Sequence, residues 1–538
     1  MKQEDKNEGF LDGKMSRRSF LKKMGKTSAG AVVAGATLKS GVNLFAGGEK
    51  EAEAPAKEKA VTGEKWPMPL NKDYFKGAEL RTVTDAGWSS TIEILKPHIM
   101  KECGIGSVPH EVANFGEEYA KIVPQLMSKN PRFDLCVYNP MSFGDFVGMD
   151  ALEPFDPYFE MFMGSDEYLD EVMPAYKNFY TQWGGKTYAV MCDGDLLMLH
   201  YLKSYFNDPE YKKKFEKRFK RQLEIPKTWY DYLEVAQFFT EETPSGVYGS
   251  QMLVTPPAYA WGYFFNLAVA NGVKYFDENM NPLIVCDEAE EALTVWKEII
   301  RWSPPGGENM GLTETINAWQ SESTVMALWW FDLSEFSAQQ NPGMAENQGG
   351  SLQPGWMKDG KLVQRSLLLA SRVGSIPKNL PEERKLMAAY FIYRLSHMDY
   401  AIHIAADEFS GTDPYLKVHY TDRGAQEYIK GNPLREATAE WPTNNGIFRT
   451  IETAKNHLAA GKAAIEHGFP QFNWVGGTEY SESMGRNISK VATGEYKPRQ
   501  CLEATAEEWV KIVQKYGIDS QKKQYAEFVR ASKEMGYW

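Results

Sequence analysis

The sequence predicts an α/β protein built around a mainly parallel β-sheet. Between residues 80 and 138, short apolar runs alternate with amphipathic stretches in the order strand, helix, strand, helix, strand. Strands separated by helices are joined by right-handed crossovers, which make the strands parallel and pack the helices on the sheet. The 538 residues are 43% hydrophobic and 25% charged, ordinary globular proportions that exclude a disordered or fibrous protein. A chain of this length forms roughly two to four domains, or two large lobes.

Each element of this alternation has its own hydrophobic period. Apolar runs indicate the strands, and a helical period indicates the segments between them. In chain order, the predicted elements cover residues 80–84, 90–103, 108–113, 119–128 and 133–138. Ligands of open parallel sheets bind beyond the carboxyl ends of the strands. Trp88 and Asn139 each follow such an end, and both are therefore candidate ligand-binding residues.

Later segments continue the pattern. Thr228 is the predicted N-cap of a helix, because Asp231 three residues on completes a capping box. The further predicted elements are a strand reaching residue 190, a helix over 229–241, a buried strand over 324–330, an amphipathic helix over 382–397 and a closing helix over 498–516.

Charge and cysteine spacing exclude several classes of function. The chain has 60 Lys and Arg against 72 Asp and Glu, a formal charge of −12. This balance argues against nucleic acid as a partner, because phosphate binding relies on clustered cations. Five cysteines lie far apart without a CxxC pair, and eight histidines form neither HxH nor HExxH. These spacings disfavour iron–sulfur and zinc sites, so we expect no metal and no cofactor.

The first 46 residues have the layout of an export signal. The motif SRRSFLK at residues 16–22 precedes an apolar stretch at residues 29–38 that is too short to span a bilayer. The motif resembles the twin-arginine signal; the alternative is an ordinary secretory signal that contains two arginines. Residues 47–76 then predict a flexible tether and an entry segment, because residues 47–64 are poor in large apolar side chains. We expect an exported, soluble, periplasmic protein.

Five segments, in the same order along the chain, resemble extracellular solute-binding proteins of ATP-binding-cassette importers, the carbohydrate-type receptors. The similar segments are YAKI (119–122) with FDLCV (133–137), ALEPFDPY (151–158), GKTYAV (185–190), PKTW (226–229) and the closing helices (487–517). Met191 and Cys192 stand where this family usually has a proline after its crossover strand. That difference concerns the ligand more than the fold.

The resemblance implies two α/β lobes joined by crossing strands, with a ligand cleft between them that closes by a hinge motion. The first lobe comprises residues 77–190 with about 366–425, and the second comprises residues 191–365 with about 426–538. The implied function is that of a monomeric periplasmic receptor without catalytic activity. It delivers a small carbohydrate-like solute, a sugar or polyol, to a membrane importer permease.

Aromatic and acidic side chains near the expected cleft are candidate ligand-binding residues. Sugars present apolar C–H faces to aromatic rings and hydroxyl groups to carboxylates and amides. The candidates are Trp88, Asn139, Asp193, Asp195, Trp261, Trp330, Asp332, Glu408, Phe409 and Trp474. Strand alternation allows only one of Trp329 and Trp330 to face the cleft, and we favour Trp330. Core packing is the alternative for the aromatic residues, and an Asx turn around Gly194 is the alternative for its flanking aspartates.

Two of these candidates depend on further assumptions about local structure. Trp261 and Tyr263 are two residues apart and are placed to share one face. Residues 469–477, which include Trp474, are expected to form an exposed loop. The candidate segments are poor in Arg, so we expect a neutral, sugar-like ligand. A cationic ligand in an aromatic cage is the alternative.

Two other classes of function remain open. A secreted carbohydrate-active enzyme would cleave glycosidic bonds with two carboxyl groups about 5 to 9.5 Å apart. Asp193 and Asp195 are the neighbouring carboxylates that such an enzyme would use. An exported redox protein would suit a twin-arginine signal, but the cysteine spacing and the lack of a Gly-rich fingerprint oppose it.

Overall fold

The structure is a computed structural model that describes residues 73–114, 117–255 and 257–538. The predicted signal over residues 1–46 and the tether as far as residue 72 lie outside the described residues. Across the described ranges, no helix combines the length and apolar character that crossing a membrane requires.

Short strands and many helices alternate along the chain. The strands are β1 (Thr82–Asp85), β2 (His110–Ala113), β3 (Leu135–Tyr138), β4 (Gln182–Trp183), β5 (Lys186–Thr187), β6 (Val190–Asp193), β7 (Leu197–Leu202), β8 (Met326–Trp330), β9 (Gln348–Ser351), β10 (Trp356–Lys358), β11 (Lys361–Val363), β12 (Ser366–Leu368), β13 (Arg372–Ser375) and β14 (Gly468–Pro470).

The helices of the first half are α1 (Ser89–Cys103), α2 (Glu118–Leu126), α3 (Phe143–Gly148), α4 (Asp156–Met161), α5 (Ser165–Glu171), α6 (Pro174–Tyr176), α7 (Lys203–Asn207), α8 (Pro209–Phe219), α9 (Trp229–Glu242) and α10 (Pro257–Ala270). Those of the second half are α11 (Asp287–Arg301), α12 (Leu312–Gln320), α13 (Leu333–Gln340), α14 (Pro342–Asn347), α15 (Glu382–Ser396), α16 (Met398–Ile404), α17 (Asp422–Glu427), α18 (Ile451–Glu466), α19 (Gly477–Ala492), α20 (Pro498–Tyr516) and α21 (Ile518–Glu534).

The first lobe is organised around a five-stranded sheet in the order β2-β1-β3-β13-β6. Strand β1 is parallel to both of its neighbours, with Thr82 opposite His110 in β2 and opposite Leu135 in β3. Strand β13 is antiparallel to β3 and to β6. The predicted strand–helix alternation therefore forms the parallel part of a mixed sheet, and its strand ends converge on one edge.

The second lobe contains an antiparallel sheet in the order β8-β7-β9 and a parallel pair, β12 with β14. Leu197 lies opposite Trp330 at one end of the β7–β8 pair. The chain passes from β6 to β7 through residues 194–196 and from β12 to β13 through residues 369–371. Because β6 and β13 pair with Val190 opposite Gly374, these two crossings lie side by side. The molecule thus has the two-lobed α/β fold, whereas the exact lobe boundaries remain a prediction.

The capping box predicted at the start of α9 is confirmed. The backbone N–H of Asp231 donates to Thr228 Oγ1 over 3.1 Å, and the backbone N–H of Thr228 donates to the Asp231 carboxylate over 3.3 Å. Two backbone donors that a helix start leaves unpaired are thereby satisfied.

The amphipathic character predicted for residues 382–397 is wrong, although a helix, α15, forms there. From Met387 to Ser396 every residue of α15 is buried, so no polar face meets solvent. Arg394, a charged residue of this helix, is 3% exposed and pairs with Glu102 at 2.9 Å. A charge paired inside the protein has the same sequence pattern as a solvated one, and periodicity alone does not separate the two.

The exposed loop predicted over residues 469–477 is also wrong, because these residues are buried. Leu367 in β12 pairs with Phe469 in β14, which holds the start of the segment inside the second lobe. Trp474 is fully buried, with its ring 5.0 Å from that of Phe528. The backbone N–H of Gly476 donates to Asp145, so this buried donor is satisfied.

Candidate functional site

Arg372 lies at the centre of a buried ionic cluster where the two lobes meet. Its guanidinium forms a two-pronged contact with Asp85, with Nε 3.0 Å from Oδ2 and Nη2 3.2 Å from Oδ1. Its Nη1 donates to Asp193 Oδ2 over 2.6 Å and to Asp195 Oδ2 over 2.8 Å. The three carboxylates are no more than 4% exposed. We call these four side chains the Arg372 cluster; it ties the ends of β1 and β6 to the start of β13.

The electrostatics of this cluster reflect burial opposed by the guanidinium. Burial raises the pKa of Asp195 to about 6, whereas the positive charge of Arg372 acts to lower it. Burial and the neighbouring Asp195 raise the pKa of Asp193 well above its ordinary value. One cation therefore only partly offsets the desolvation of its acidic partners.

Three more carboxyl groups lie nearby, those of Asp332 and Glu335 after β8 and that of Asp413 after α16, and we call them the Asp332 group. Asp332 accepts a hydrogen bond from Trp329 Nε1 at 2.9 Å, and Glu335 accepts one from the Gly411 N–H at 3.0 Å. The third, Asp413, accepts one from the Phe331 N–H at 3.2 Å. Burial raises the pKa of Asp332 to about 7 and raises the pKa of Glu335 and of Asp413 well above the ordinary value.

The Asp332 group adjoins the Arg372 cluster through the chain itself. The backbone N–H of Asp413 donates to Asp193 Oδ1 over 2.7 Å. Asp413 thus contacts a first-lobe carboxylate through its backbone and the end of β8 through its side chain. Acidic groups of both lobes consequently share one buried region.

An aromatic wall adjoins these carboxylates. The ring of Trp330 packs edge-on against Tyr259 at 5.4 Å and against Tyr263 at 5.9 Å. Its Nε1 donates to the Leu369 carbonyl over 2.8 Å, which fixes the ring next to the crossing of residues 369–371. Aromatic faces beside carboxylate acceptors are the groups that bind apolar ring faces together with hydroxyl donors.

The expectation that Trp261 and Tyr263 share a face is wrong. It assumed an extended chain, but both residues lie in helix α10, where residues two apart point in different directions. The helix instead aligns Tyr259 with Tyr263, one turn apart, toward Trp330. Trp261 packs against Phe472 at 4.9 Å within the core of the second lobe.

Trp88 and Asn139 occupy the first-lobe side of the site. Trp88 is fully buried and donates from Nε1 to Thr412 Oγ1 over 2.9 Å. Asn139 Oδ1 accepts hydrogen bonds from Gln471 Nε2 at 3.0 Å and from the Met141 N–H at 2.9 Å. Gln471 also bonds to both backbone groups of Ala370, so it links Asn139 to the crossing strand.

Glu408 and Phe409 belong to a different set of contacts. Glu408 Oε1 accepts a hydrogen bond from Thr443 Oγ1 at 2.6 Å and lies 3.4 Å from Arg435 Nη2. The guanidinium of Arg435 stacks over Phe409 at 4.8 Å and also binds Asp407. The structure therefore brings Trp88, Asn139, Asp193, Asp195, Trp330 and Asp332 into one region. It places Glu408, Phe409, Trp261 and Trp474 in other contacts.

Several residues of the region were missed from the sequence. Arg372 is a single charge in the apolar run LLLASRVGSI, a pattern that signals a buried pair but does not identify its partners. Tyr259 and Gln471 lie in segments whose local structure was wrongly assigned. The missed residues are Tyr259, Glu335, Arg372 and Gln471.

Two cavities lie away from this region. One of about 370 Å³, between β9 and α18, is lined by Tyr201, Gly350, Thr453 and His457 among others. Another of about 210 Å³ adjoins the β4–β5 turn and α21. Neither is lined by a residue of the Arg372 cluster or of the Asp332 group. In this conformation Asp193 and Asp195 instead contact Arg372, and Trp330 contacts the tyrosines of α10.

Comparison with known proteins identifies the type of molecule. Residues 98–405 match a family model described as bacterial extracellular solute-binding protein. No curated protein sequence matches the chain significantly. The structure is similar to that of an ABC transporter solute-binding protein from Agrobacterium radiobacter K84 in complex with ribitol. The TM-score is 0.63 at 16% identity, and the alignment covers 81% of this chain and 99% of that chain.

Two further solved structures show the same architecture. Maltose-bound MalE3 of T. maritima aligns with a TM-score of 0.63 and 16% identity, over 81% of this chain and 100% of that chain. The GacH receptor of Streptomyces glaucescens GLA.O, solved unliganded and with acarbose, aligns with a TM-score of 0.60 and 18% identity. That alignment covers 82% of this chain and 100% of the receptor.

Proposed function

The chain belongs to the bacterial extracellular solute-binding proteins, and we propose that it is the receptor for a small carbohydrate-like solute, a sugar or polyol. The solute binds between the two lobes and is delivered to the permease of an ATP-driven membrane importer. The observation that carries this proposal is the joint burial, where the lobes meet, of Trp330 and carboxylates from both lobes.

The ligands of similar structures and the side chains of the site both support a sugar or polyol as the substrate class. The similar solved structures contain ribitol, maltose and acarbose. Trp330 with Tyr259 and Tyr263 offers aromatic surface, and the nearby carboxylates accept hydrogen bonds from hydroxyl groups. A sugar or polyol combines the apolar and hydroxylated surfaces that suit both.

We assign the cleft to residues that the structure groups together. On the first-lobe side these are Trp88, Asn139 and the aspartates of the Arg372 cluster. On the second-lobe side they are Trp330, Asp332 and the two tyrosines of α10. Trp261, Glu408, Phe409 and Trp474 are structural in this proposal, because their partners lie in the core or around Arg435.

The alternative of a glycoside-cleaving enzyme has weaker support. Asp193 and Asp195 bind the same guanidinium nitrogen, so their carboxylates face a shared cation instead of flanking a substrate bond. We therefore propose a non-enzymatic receptor. It is exported to the periplasm by the twin-arginine signal and acts there as a monomer.

Binding measurements test this function. Isothermal titration of the purified protein with D-glucose, maltose, ribitol, D-mannitol and glucose 6-phosphate should show saturable binding of at least one neutral member. At a hundredfold excess over Kd, that ligand should stabilise the protein by about 2.7 kcal/mol in thermal unfolding. Chromatography of maltose after prolonged incubation should show no new product. Release of glucose by the protein would favour the enzyme, and tight binding of the phosphate ester alone would reject the sugar or polyol class.

A further inference from the structure

The carboxyl groups of the site outnumber the cations that pair with them. The six acidic residues are Asp85, Asp193, Asp195, Asp332, Glu335 and Asp413. Arg372 pairs with the first three within 4 Å. In the part of the chain that the structure describes, no Lys, Arg or His forms an ion pair with Asp332, Glu335 or Asp413. The three carboxyl groups of the Asp332 group therefore lack a partner cation.

An excess of buried carboxyl groups over cations has to be compensated by protons or by positive charge. A carboxylate removed from water without a cation or sufficient hydrogen bonds is strongly unfavourable, so it either takes up a proton or receives a positive charge from elsewhere. The pKa values of the three carboxyl groups in the Asp332 group are raised because burial disfavours their charged forms. Each of the three accepts one hydrogen bond from a neutral N–H group, which is less than a buried carboxylate can use.

A second observation, independent of the acidic residues, points to a ligand at the same place. The hydroxyl group of Tyr263 is buried and has no hydrogen-bond partner among the described residues. Its ring packs against Trp330 at 5.9 Å, and burial together with the charge of nearby Asp332 raises the pKa of this phenol. Among the described residues, no N–H or hydroxyl group donates to Asp413 Oδ1, although the Asp413 carboxyl group interacts with that of Asp195. An unpaired hydroxyl group on the aromatic wall, with the Asp332 carboxyl group nearby, suits a bound group that offers hydrogen-bond donors.

We propose that the solute carries a protonated amine in addition to its hydroxyl groups, as in an amino sugar or amino polyol, and that the Asp332 group receives the amine. This inference rests on the proposed function and narrows its substrate class. An ammonium group offers three donors and one positive charge, and Trp330 and the tyrosines attract cations through their faces. An anionic solute is opposed by the acidic residues of the site, because the guanidinium of Arg372 is already bound to Asp85, Asp193 and Asp195.

The proposal revises the neutral ligand that the sequence predicts. That expectation rested on the small number of arginines in the candidate loops. Asp332 and Glu335 lie about eighty residues before Asp413 in the chain. Only the fold brings these three carboxyl groups together, so the sequence did not reveal the group.

Matched pairs of solutes test the proposal on the full chain. Titration calorimetry at pH 7 would compare D-glucosamine with D-glucose, and D-glucamine with D-glucitol; N-acetyl-D-glucosamine and cyclohexylamine complete the panel. We expect the amine of at least one pair to bind at least tenfold more tightly than its hydroxyl counterpart, and acetylation to abolish the gain. Equal or tighter binding of the neutral members would overturn the proposal that the solute carries an amine, and it would leave the proposed receptor function intact. Binding of cyclohexylamine without any sugar or polyol would overturn the receptor function proposed above. Binding of no probe would overturn both.

Two isosteric variants locate the amine. Asp332→Asn and Glu335→Gln should each reduce the amine-over-hydroxyl preference at least tenfold while retaining binding of the hydroxyl compound. Asp145→Asn is the matched control, because Asp145 is also buried and accepts a backbone hydrogen bond, from Gly476, but lies outside the group. Thermal unfolding without solute identifies any variant that fails to fold, and the other variant then decides. A preference unchanged in a folded Asp332→Asn or Glu335→Gln protein would contradict the assignment.

Discussion

The backbone N–H of Ser371 donates a hydrogen bond to Asp195 Oδ2 over 2.8 Å, and this bond joins the two chain crossings between the lobes. Ala370 and Ser371 have φ values of 76° and 63°, in the left-handed region that side chains disfavour. Both residues are buried, so the strain is held by surrounding contacts. The crossing is therefore strained at the point where a hinge would bend.

The strain at Ala370 predicts the effect of a glycine. Ala370→Gly should leave the free energy of unfolding unchanged or raise it by up to about 1 kcal/mol, since glycine adopts this conformation without a Cβ clash. Ala388→Gly, inside the buried helix α15, is the control and should cost about 1 kcal/mol or more. Urea unfolding of both variants provides the measurement. Equal destabilisation by the two glycines would show that residue 370 is not strained.

The Arg372 cluster predicts a large loss of stability when its cation is removed. Arg372→Met leaves the carboxylates of Asp85, Asp193 and Asp195 buried without a partner, which should cost about 3 to 5 kcal/mol at pH 7. Arg530→Ala is the control, because that exposed ion pair with Glu527 should contribute no more than about 1 kcal/mol. Denaturant unfolding compares the two. A folded Arg372→Met protein of wild-type stability would show that the ion pairs of the cluster contribute no net stability.

The raised pKa of Asp332 predicts how the stability of the protein changes with pH. Because its pKa is raised to about 7 in the folded protein, the folded state retains a proton that the unfolded state releases above about pH 4. The contribution of Asp332 to stability should therefore fall as pH rises from 4 to 7 and stay constant above 7. Asn mimics the protonated carboxyl group, so the stability of Asp332→Asn relative to wild type should rise over the same interval. Subtracting the free energy of unfolding of wild type from that of Asp332→Asn at each pH isolates the contribution of Asp332. A difference that does not change with pH would contradict this prediction.

The export signal predicts a requirement for both arginines. We expect the chain to reach the periplasm only when Arg17 and Arg18 are both present, since the motif resembles a twin-arginine signal. Cell fractionation of the double Lys variant provides the test, with Lys23→Arg as a control that preserves charge just after the motif. Undiminished export of the double variant would assign the chain to the general secretory route.

Local structure was largely predictable from the sequence because its causes are local. The capping box at Thr228 and Asp231 involves residues three apart, and the helix of residues 90–103 was predicted within one residue of α1. The same local patterns failed where tertiary contacts decide the outcome. Helix α15 lost its expected solvent face because Arg394 pairs with Glu102, nearly three hundred residues earlier in the chain.

The site was predictable only in part for the same reason. Asp193 and Asp195 were identified because they follow a crossover strand, a position that sequence order defines. Arg372 pairs with Asp85 across 287 positions, and no spacing or periodicity encodes that contact. Tyr259 was missed because α10 was not recognised as a helix; with a helical period, its alignment with Tyr263 would follow directly.

Trp330 supports the sharpest prediction about binding. Stacking of an aromatic ring on a bound ring contributes about 1 to 3 kcal/mol in other systems, which corresponds to a tenfold to hundredfold change in Kd. Trp330→Ala should therefore weaken solute binding by that factor. Trp330→Phe should weaken it less, because a smaller ring remains although the hydrogen bond to the Leu369 carbonyl is lost.

Two comparisons separate binding from folding. Trp329 donates to Asp332 and lies on the other side of β8, so Trp329→Phe should affect affinity less than Trp330→Phe. Tyr230→Ala alters an aromatic residue that is 53% exposed and should leave Kd unchanged. Titration calorimetry gives each Kd, and thermal unfolding confirms that each protein is folded. Since Trp330 also contacts Tyr259 and Tyr263, a folded Trp330→Ala protein with wild-type affinity would remove the whole aromatic wall from the site. A larger loss in Trp329→Phe than in Trp330→Phe would assign the stacking ring to Trp329.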